Sequence, residues 1–142
     1  MARVLLQRDA ELATLRRQIE EVHADEGRVI VVEGPAGIGK SSLLAATARA
    51  AAADEIRVLR AWGGPLEHHA AWGIARQLFA PVRGGAEWDG LAVGAAALAR
   101  RALDPDAGEP ALAGDAMHAA AHGLTWLACN LAERSATLLV VD

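Results

Sequence analysis

Three features of this 142-residue chain predict an α/β fold, with helices covering both faces of a parallel sheet. Short runs of Val, Ile and Leu alternate with longer segments of helical periodicity. The runs at 29–33 and 137–142 are nearly continuous in apolar residues, as expected of parallel strands buried on both faces. Between the first run and the helix after it lies GPAGIGKSS at 34–42, which gives the order strand, glycine-rich turn, helix.

That turn carries the chemistry. Gly34, Gly39, Lys40 and Ser41 fill the fixed places of G-x-x-x-x-G-K-[ST], with Pro35, Ala36, Gly37 and Ile38 between them. Glycines at 34, 37 and 39 let the backbone bring successive N–H groups against anionic oxygens. A helix starting near Lys40 aims its free N–H groups and its positive dipole end at the same anion. Lys40 would reach the β- and γ-phosphates, and the Ser41 hydroxyl would ligate the accompanying Mg²⁺; Ser42 extends the binding set. The bland alternative is a turn that merely joins a strand to a helix. Composition argues against it: 13 of the 14 basic residues are Arg, and the fourteenth is Lys40. The fold expected is therefore a three-layer α/β/α P-loop NTPase sheet that stops after its Walker B strand.

Composition bounds the rest. The length suits about one domain and is short for a complete P-loop NTPase. An apolar fraction of 53% argues against disorder. No apolar run approaches the roughly 20 residues that span a bilayer, and MARVLLQRDAEL is too short and charged for a secretory leader, so a cytoplasmic location is expected. Cys129, the one cysteine, excludes an internal disulfide, and its apolar helical setting predicts a core position. A formal charge of −4 speaks against direct nucleic-acid contact by this segment.

Taken in order, Leu12, Leu15, Ile19 and Val22 form an apolar stripe that predicts a helix over 10–24, with Asp9 as its cap and Gly27 as its stop. The first strand is expected at 29–33 and the next helix at 40–53, with Leu43, Leu44 and Thr47 inward. Residues 56–61 read as a second strand. Turn residues make 62–69 a loop; a helix over 71–79 should end before Pro81, and 83–90 is again loop. The pattern over 91–103 is helical, 104–110 reads as a connection, and Asp115 opens a helix to 135 with Leu124, Leu127, Ala128 and Leu131 inward. Thr137 to Asp142 then has the form of a Walker B strand, which would deliver the Asp142 carboxylate beside the loop to hold a water ligand of Mg²⁺.

Four pieces resemble the ATPase domain of STAND-type regulators, in particular the large ATP-binding regulators of the LuxR family. They are LLQRDAELATL at 5–15, VVEGPAGIGKSSLL at 31–44, HGLTWLACNLAE at 122–133 and LLVVD at 138–142. The resemblance implies the N-terminal part of a P-loop NTPase domain over 1–142, with an N-terminal helix region at 1–27 and P-loop to Walker B at 28–142. It implies ATP and Mg²⁺ as ligands, with Leu6 and Arg8 beside the adenine; Gln7 stands where the family usually has Gly. It also implies a sheet order of 5-1-4-3-2, in which a strand beyond Asp142 separates strand one from strand three. The acidic residue after Asp142, the sensor strand, the lid and any arginine finger lie beyond 142 in that scheme. Efficient hydrolysis is thus not expected of this segment alone. Strands one and three would either close up or leave open edges for nucleotide-dependent self-association.

Other candidates are weaker. His118 and His122 could share a helix face but lack a third ligand, so packing is the better account. His68 and His69 fall in a loop, and Trp62, Trp72, Trp88 and Trp126 suit packing better than a stacking platform. Glu33, directly before the loop, reads as structural. The reading that follows is an ATP/Mg²⁺-binding module that switches a multidomain regulator, with DNA contact made elsewhere. A P-loop kinase needs an acceptor pocket and a lid that the sequence does not offer. A degenerate interaction domain is the non-enzyme rival.

Overall fold

A computed structural model describes residues 8–22, 27–64, 72–104 and 114–142. Helix α1 spans Asp9–Val22, α2 spans Lys40–Ala53, and strand β1 spans Arg57–Ala61. Helix α3 (Gly73–Arg83), two single-turn helices α4 (Trp88–Leu91) and α5 (Arg100–Leu103), and a 3₁₀ segment at Gly94–Ala99 follow. The long helix α6 (Asp115–Arg134) leads into β2 (Thr137–Val141). Strands β1 and β2 pair in parallel, from Arg57 opposite Thr137 to Ala61 opposite Val141.

Alternation along β1 divides the core. Leu59 and Ala61 face a cluster with Leu78, Phe79, Leu91, Leu103, Leu127 and Leu131, supplied by α3 to α6. Val58 and Leu138 face the other way, onto Ile19 of α1, Ala51 of α2 and Ile56. The fold is therefore α/β with helices on both faces, as the alternating pattern predicts. Leu15 and Ile19 are buried, and each such side chain contributes about 1.5–3 kcal/mol to holding α1 in place.

The structure corrects several expectations. Residues 29–33 form no strand: among the described residues the sheet has two strands, and Val29, Ile30 and Val31 are 93%, 47% and 73% exposed. A strand is stable only with a ladder partner and a covered face, and β1 and β2 satisfy each other instead. Strands one and three thus do not close up. Pro81 lies inside α3, where its missing N–H removes one bond to Gln77 while buried Phe79 and Val82 hold the last turn on the core. The expected helix over 91–103 is broken at Ala92–Val93, where the chain turns extended, and Gly94 takes φ +57°. Cys129 is exposed, since it sits about 200° around α6 from buried Leu127. Leu6, Gln7, His68 and His69, and residues 105–110 of the expected connection, lie outside the described residues.

Two details of packing lead to expected outcomes. A Cβ on Gly123 of α6 would lie 2.4 Å from the Ala99 nitrogen and 2.8 Å from the Leu98 carbonyl carbon, both backbone atoms. Ala in an open helix site gains up to about 1 kcal/mol over Gly, but overpacking here should cost roughly 1–3 kcal/mol. Gly123→Ala should therefore lower the urea midpoint; a raised midpoint would show that the 98–99 backbone yields freely.

The second detail is the ion pair joining β1 to the turn before α4. Glu87 takes both Arg57 guanidinium nitrogens, at 2.5 and 3.2 Å, with Arg134 Nη1 4.0 Å away. The hydrogen bond from Arg57 holds the Glu87 carboxyl below its ordinary range against partial desolvation, helped by the charges of Arg57 and Arg134. A lowered folded value means stability present above the ordinary carboxyl pKa and lost as pH falls through the folded one. Urea unfolding of wild type and Glu87→Gln should differ by a constant amount near neutrality, with the gap closing below about pH 4. A gap that persists at lower pH would refute the ionic origin.

Candidate functional site

The glycine-rich turn leads straight into α2. Gly39 stands at the N-cap with φ +96° and Gly37 has φ +77°, conformations that L side chains adopt only under strain. The first N–H of this helix to reach an intrahelical carbonyl is Leu43, which donates to Gly39 at 3.0 Å. The N–H groups of Lys40, Ser41 and Ser42 precede it and have no carbonyl one turn back. They form the positive end of a 14-residue helix, which suits an anion.

Polar side chains converge there. Lys40 Nζ donates to the Gly34 carbonyl at 2.8 Å and the Pro35 carbonyl at 3.0 Å, so the ammonium lies over its own loop. Pro35 also accepts the Ile38 N–H, at 3.4 Å. Ser41 Oγ donates to Asp142 Oδ1 at 2.9 Å across 101 residues of sequence. This contact follows from the sheet: β2 runs parallel to β1, and Asp142, the residue after β2, lies past the ladder at the start of α2. The main chain of Asp142 is fixed as well, since its N–H donates to the Ala61 carbonyl at 3.1 Å and its carbonyl accepts from Gly63 at 2.7 Å.

Arg8 reaches the same loop. Its Nη1 donates to Glu11 Oε1 at 2.9 Å and its Nη2 to the Ile38 carbonyl at 2.8 Å. Hydrogen bonds thus connect Arg8, Gly34, Pro35, Ile38 and Lys40, and the chain through Gly39 carries them to the separate pair of Ser41 and Asp142. Ala36 and Gly37 complete the loop between Pro35 and Ile38, and Ser42 is half-buried in the first turn of α2. Glu33 is exposed and outside the hydrogen bonds just described.

Two supporting residues were not legible in the sequence. Gln77 of α3 accepts the Trp62 N–H at 3.0 Å and donates to the Trp62 carbonyl at 3.2 Å, pinning the loop whose next residue, Gly63, holds Asp142. A lone Gln on a helix gives no signal of this. Glu11 steadies Arg8, and only the i, i+3 spacing of opposite charges hints at it. The histidines do other work: His122 Nε2 accepts the Trp126 indole N–H at 3.1 Å, and His118 contacts the Gly114 carbonyl at 3.3 Å. Among the described residues no three His, Cys, Asp or Glu side chains cluster as a metal site. An apolar concavity of about 480 Å³ between α3 and α6 is lined by residues such as Ile74, Leu78, Leu124 and Leu139 and offers no charged group to an anion.

The sequence matches the family described as AAA ATPase domain over residues 4–142. The chain belongs to that family. Neither a curated protein nor a solved structure matches it. An AAA ATPase domain is a nucleotide-binding ATPase module, and the group around Lys40 has the donors that a nucleotide's phosphates require. A divalent metal also suits the residues present, because a hydroxyl and a carboxylate, both hard oxygen donors, meet at Ser41 and Asp142. No helix among the described residues is long and apolar enough to cross a membrane.

Gly39 offers a direct check on the loop. An L residue held in the left-handed region loses roughly 1–2 kcal/mol, equal to a factor of about 5–30 in an equilibrium. Gly39→Ala should weaken nucleotide binding in calorimetry by about that factor while leaving the thermal unfolding of α3 to α6 in place. Unchanged affinity would show that the observed φ is not needed for binding.

Proposed function

We propose that this AAA ATPase domain is the ATP- and Mg²⁺-binding module of a STAND-type signalling ATPase, from a LuxR-family transcriptional regulator. The observation that carries the reading is the 2.9 Å hydrogen bond from Ser41 Oγ to Asp142 Oδ1. It joins the end of the phosphate-binding motif to the end of the Walker B strand, the two places from which a Mg²⁺ on a nucleotide is held. The resemblance of 5–15, 31–44, 122–133 and 138–142 to that family supports the regulator context.

Each residue has a role in this reading. Gly34, Pro35, Ala36, Gly37, Ile38 and Gly39 wrap the phosphates with main chain. Lys40 exchanges the Gly34 and Pro35 carbonyls for the β- and γ-phosphate oxygens, and Ser42 adds to the helix start. Ser41 supplies a hydroxyl to the metal and Asp142 orients a water on it. Bound Mg²⁺ would neutralise phosphate charge during transfer. Leu6 is assigned to the adenine. Residues 1–142 are given the binding half of the reaction cycle; in the family resembled, the groups that orient the attacking water follow Asp142. A cytoplasmic setting and DNA contact by another part of the regulator accompany this reading, and the charge of −4 supports the latter. The side of β2 that no other strand covers among the described residues, with the exposed Val29 and Val31, supports nucleotide-dependent self-association.

Titration calorimetry tests the assignment. Wild type should bind ATP more tightly with Mg²⁺ than with EDTA. Lys40→Ala should lose at least about tenfold in affinity, or roughly 1.4 kcal/mol. Asp142→Asn should lose the Mg²⁺ enhancement and keep the metal-free affinity. Lys40→Ala binding as tightly as wild type, or metal enhancement surviving in Asp142→Asn, would refute it.

A further inference from the structure

Arg8 links the first helix to the phosphate loop, and its bonds fit a role other than contact with the base. Its two terminal nitrogens are both engaged, one on Glu11 Oε1 and one on the Ile38 carbonyl. The Ile38 contact joins residues thirty apart in sequence, and Glu11 sits in the first turn of α1, which Leu15 and Ile19 bury against the domain. The guanidinium is therefore steadied from a packed helix.

The consequence lies in the peptide that Arg8 holds. The Ile38–Gly39 bond is trans, so its carbonyl and its N–H point in opposite directions. A cation fixed on the Ile38 oxygen turns the Gly39 N–H away from Arg8, and it polarises the amide so that this N–H is a stronger donor. Gly39 is also where the peptide could rotate most freely, because a glycine with φ +96° has other wells within reach. The neighbouring Ile38 N–H is already turned onto Pro35. The donor that an anion could claim at this corner is thus the Gly39 N–H, and its direction depends on Arg8.

We propose that Arg8 is a positioning residue for phosphate binding: it sets the Ile38–Gly39 peptide from outside the loop and is not a contact of the base. The proposal rests on the nucleotide-binding reading above, and it separates from a base contact because its effect acts on the phosphates alone. Arg8→Ala and Glu11→Gln are compared with wild type by calorimetry, using ATP and inorganic tripolyphosphate as the two titrants. Arg8→Ala should weaken both by the same factor, about tenfold, and Glu11→Gln should weaken both equally by a smaller factor. Loss of ATP affinity with tripolyphosphate affinity intact would assign Arg8 to the base and overturn the proposal. Unchanged affinity for both would also overturn it. Should Arg8→Ala fail to fold by circular dichroism, Glu11→Gln and Arg8→Lys decide, with Arg8→Lys expected to retain part of both affinities in equal proportion. Failure of wild type to bind either titrant would instead count against the function proposed above.

Discussion

The parallel ladder between 57–61 and 137–141 is the constraint on which the rest depends. Parallel pairing needs a crossover, and here it holds α3, the short helices and α6, whose apolar faces close over Leu59 and Ala61. The same register leaves Val58 and Leu138 on the opposite face, where α1 and α2 settle. With α2 so placed, its first turn lies at the carboxyl ends of both strands. Ser41 and Asp142 meet because the ladder ends where it does.

This dependence explains which parts of the structure were readable in advance. The phosphate loop is encoded in a local pattern, and α2 begins at Lys40 as the pattern requires. The β2 run and the stripe of α6 are also local, since a strand's composition and a helix's 3.6-residue period need no knowledge of distant partners. Residues 29–33 have the same strand-like composition as β2, yet composition cannot supply a neighbour, and these residues stay outside the sheet. Pro81 misled for a related reason: buried Phe79 and Val82 outweigh the loss of one hydrogen bond, and burial is a property of the fold.

The site divides along the same line. The identities of Lys40, Ser41 and Asp142 come from motifs, but the hydrogen bond between the last two could only be seen in three dimensions. Arg8 belongs to a motif that the resemblance sets beside the adenine, and its bond to the Ile38 carbonyl, thirty residues away, is one that no local pattern announces. Gln77 and Glu11 support the site through ordinary polar contacts that any surface helix could contain.

The position of the Lys40 ammonium has a thermodynamic consequence. With two carbonyl oxygens already within 3.0 Å, it is not a bare cation waiting for a counterion. An arriving anion gains only the difference between its own attraction and that of the Gly34 and Pro35 dipoles. A monovalent ion such as chloride offers little beyond those dipoles, while a chain of phosphates brings several charges to bear at once. On the nucleotide-binding reading, that exchange would favour polyanions over the common salts of its surroundings.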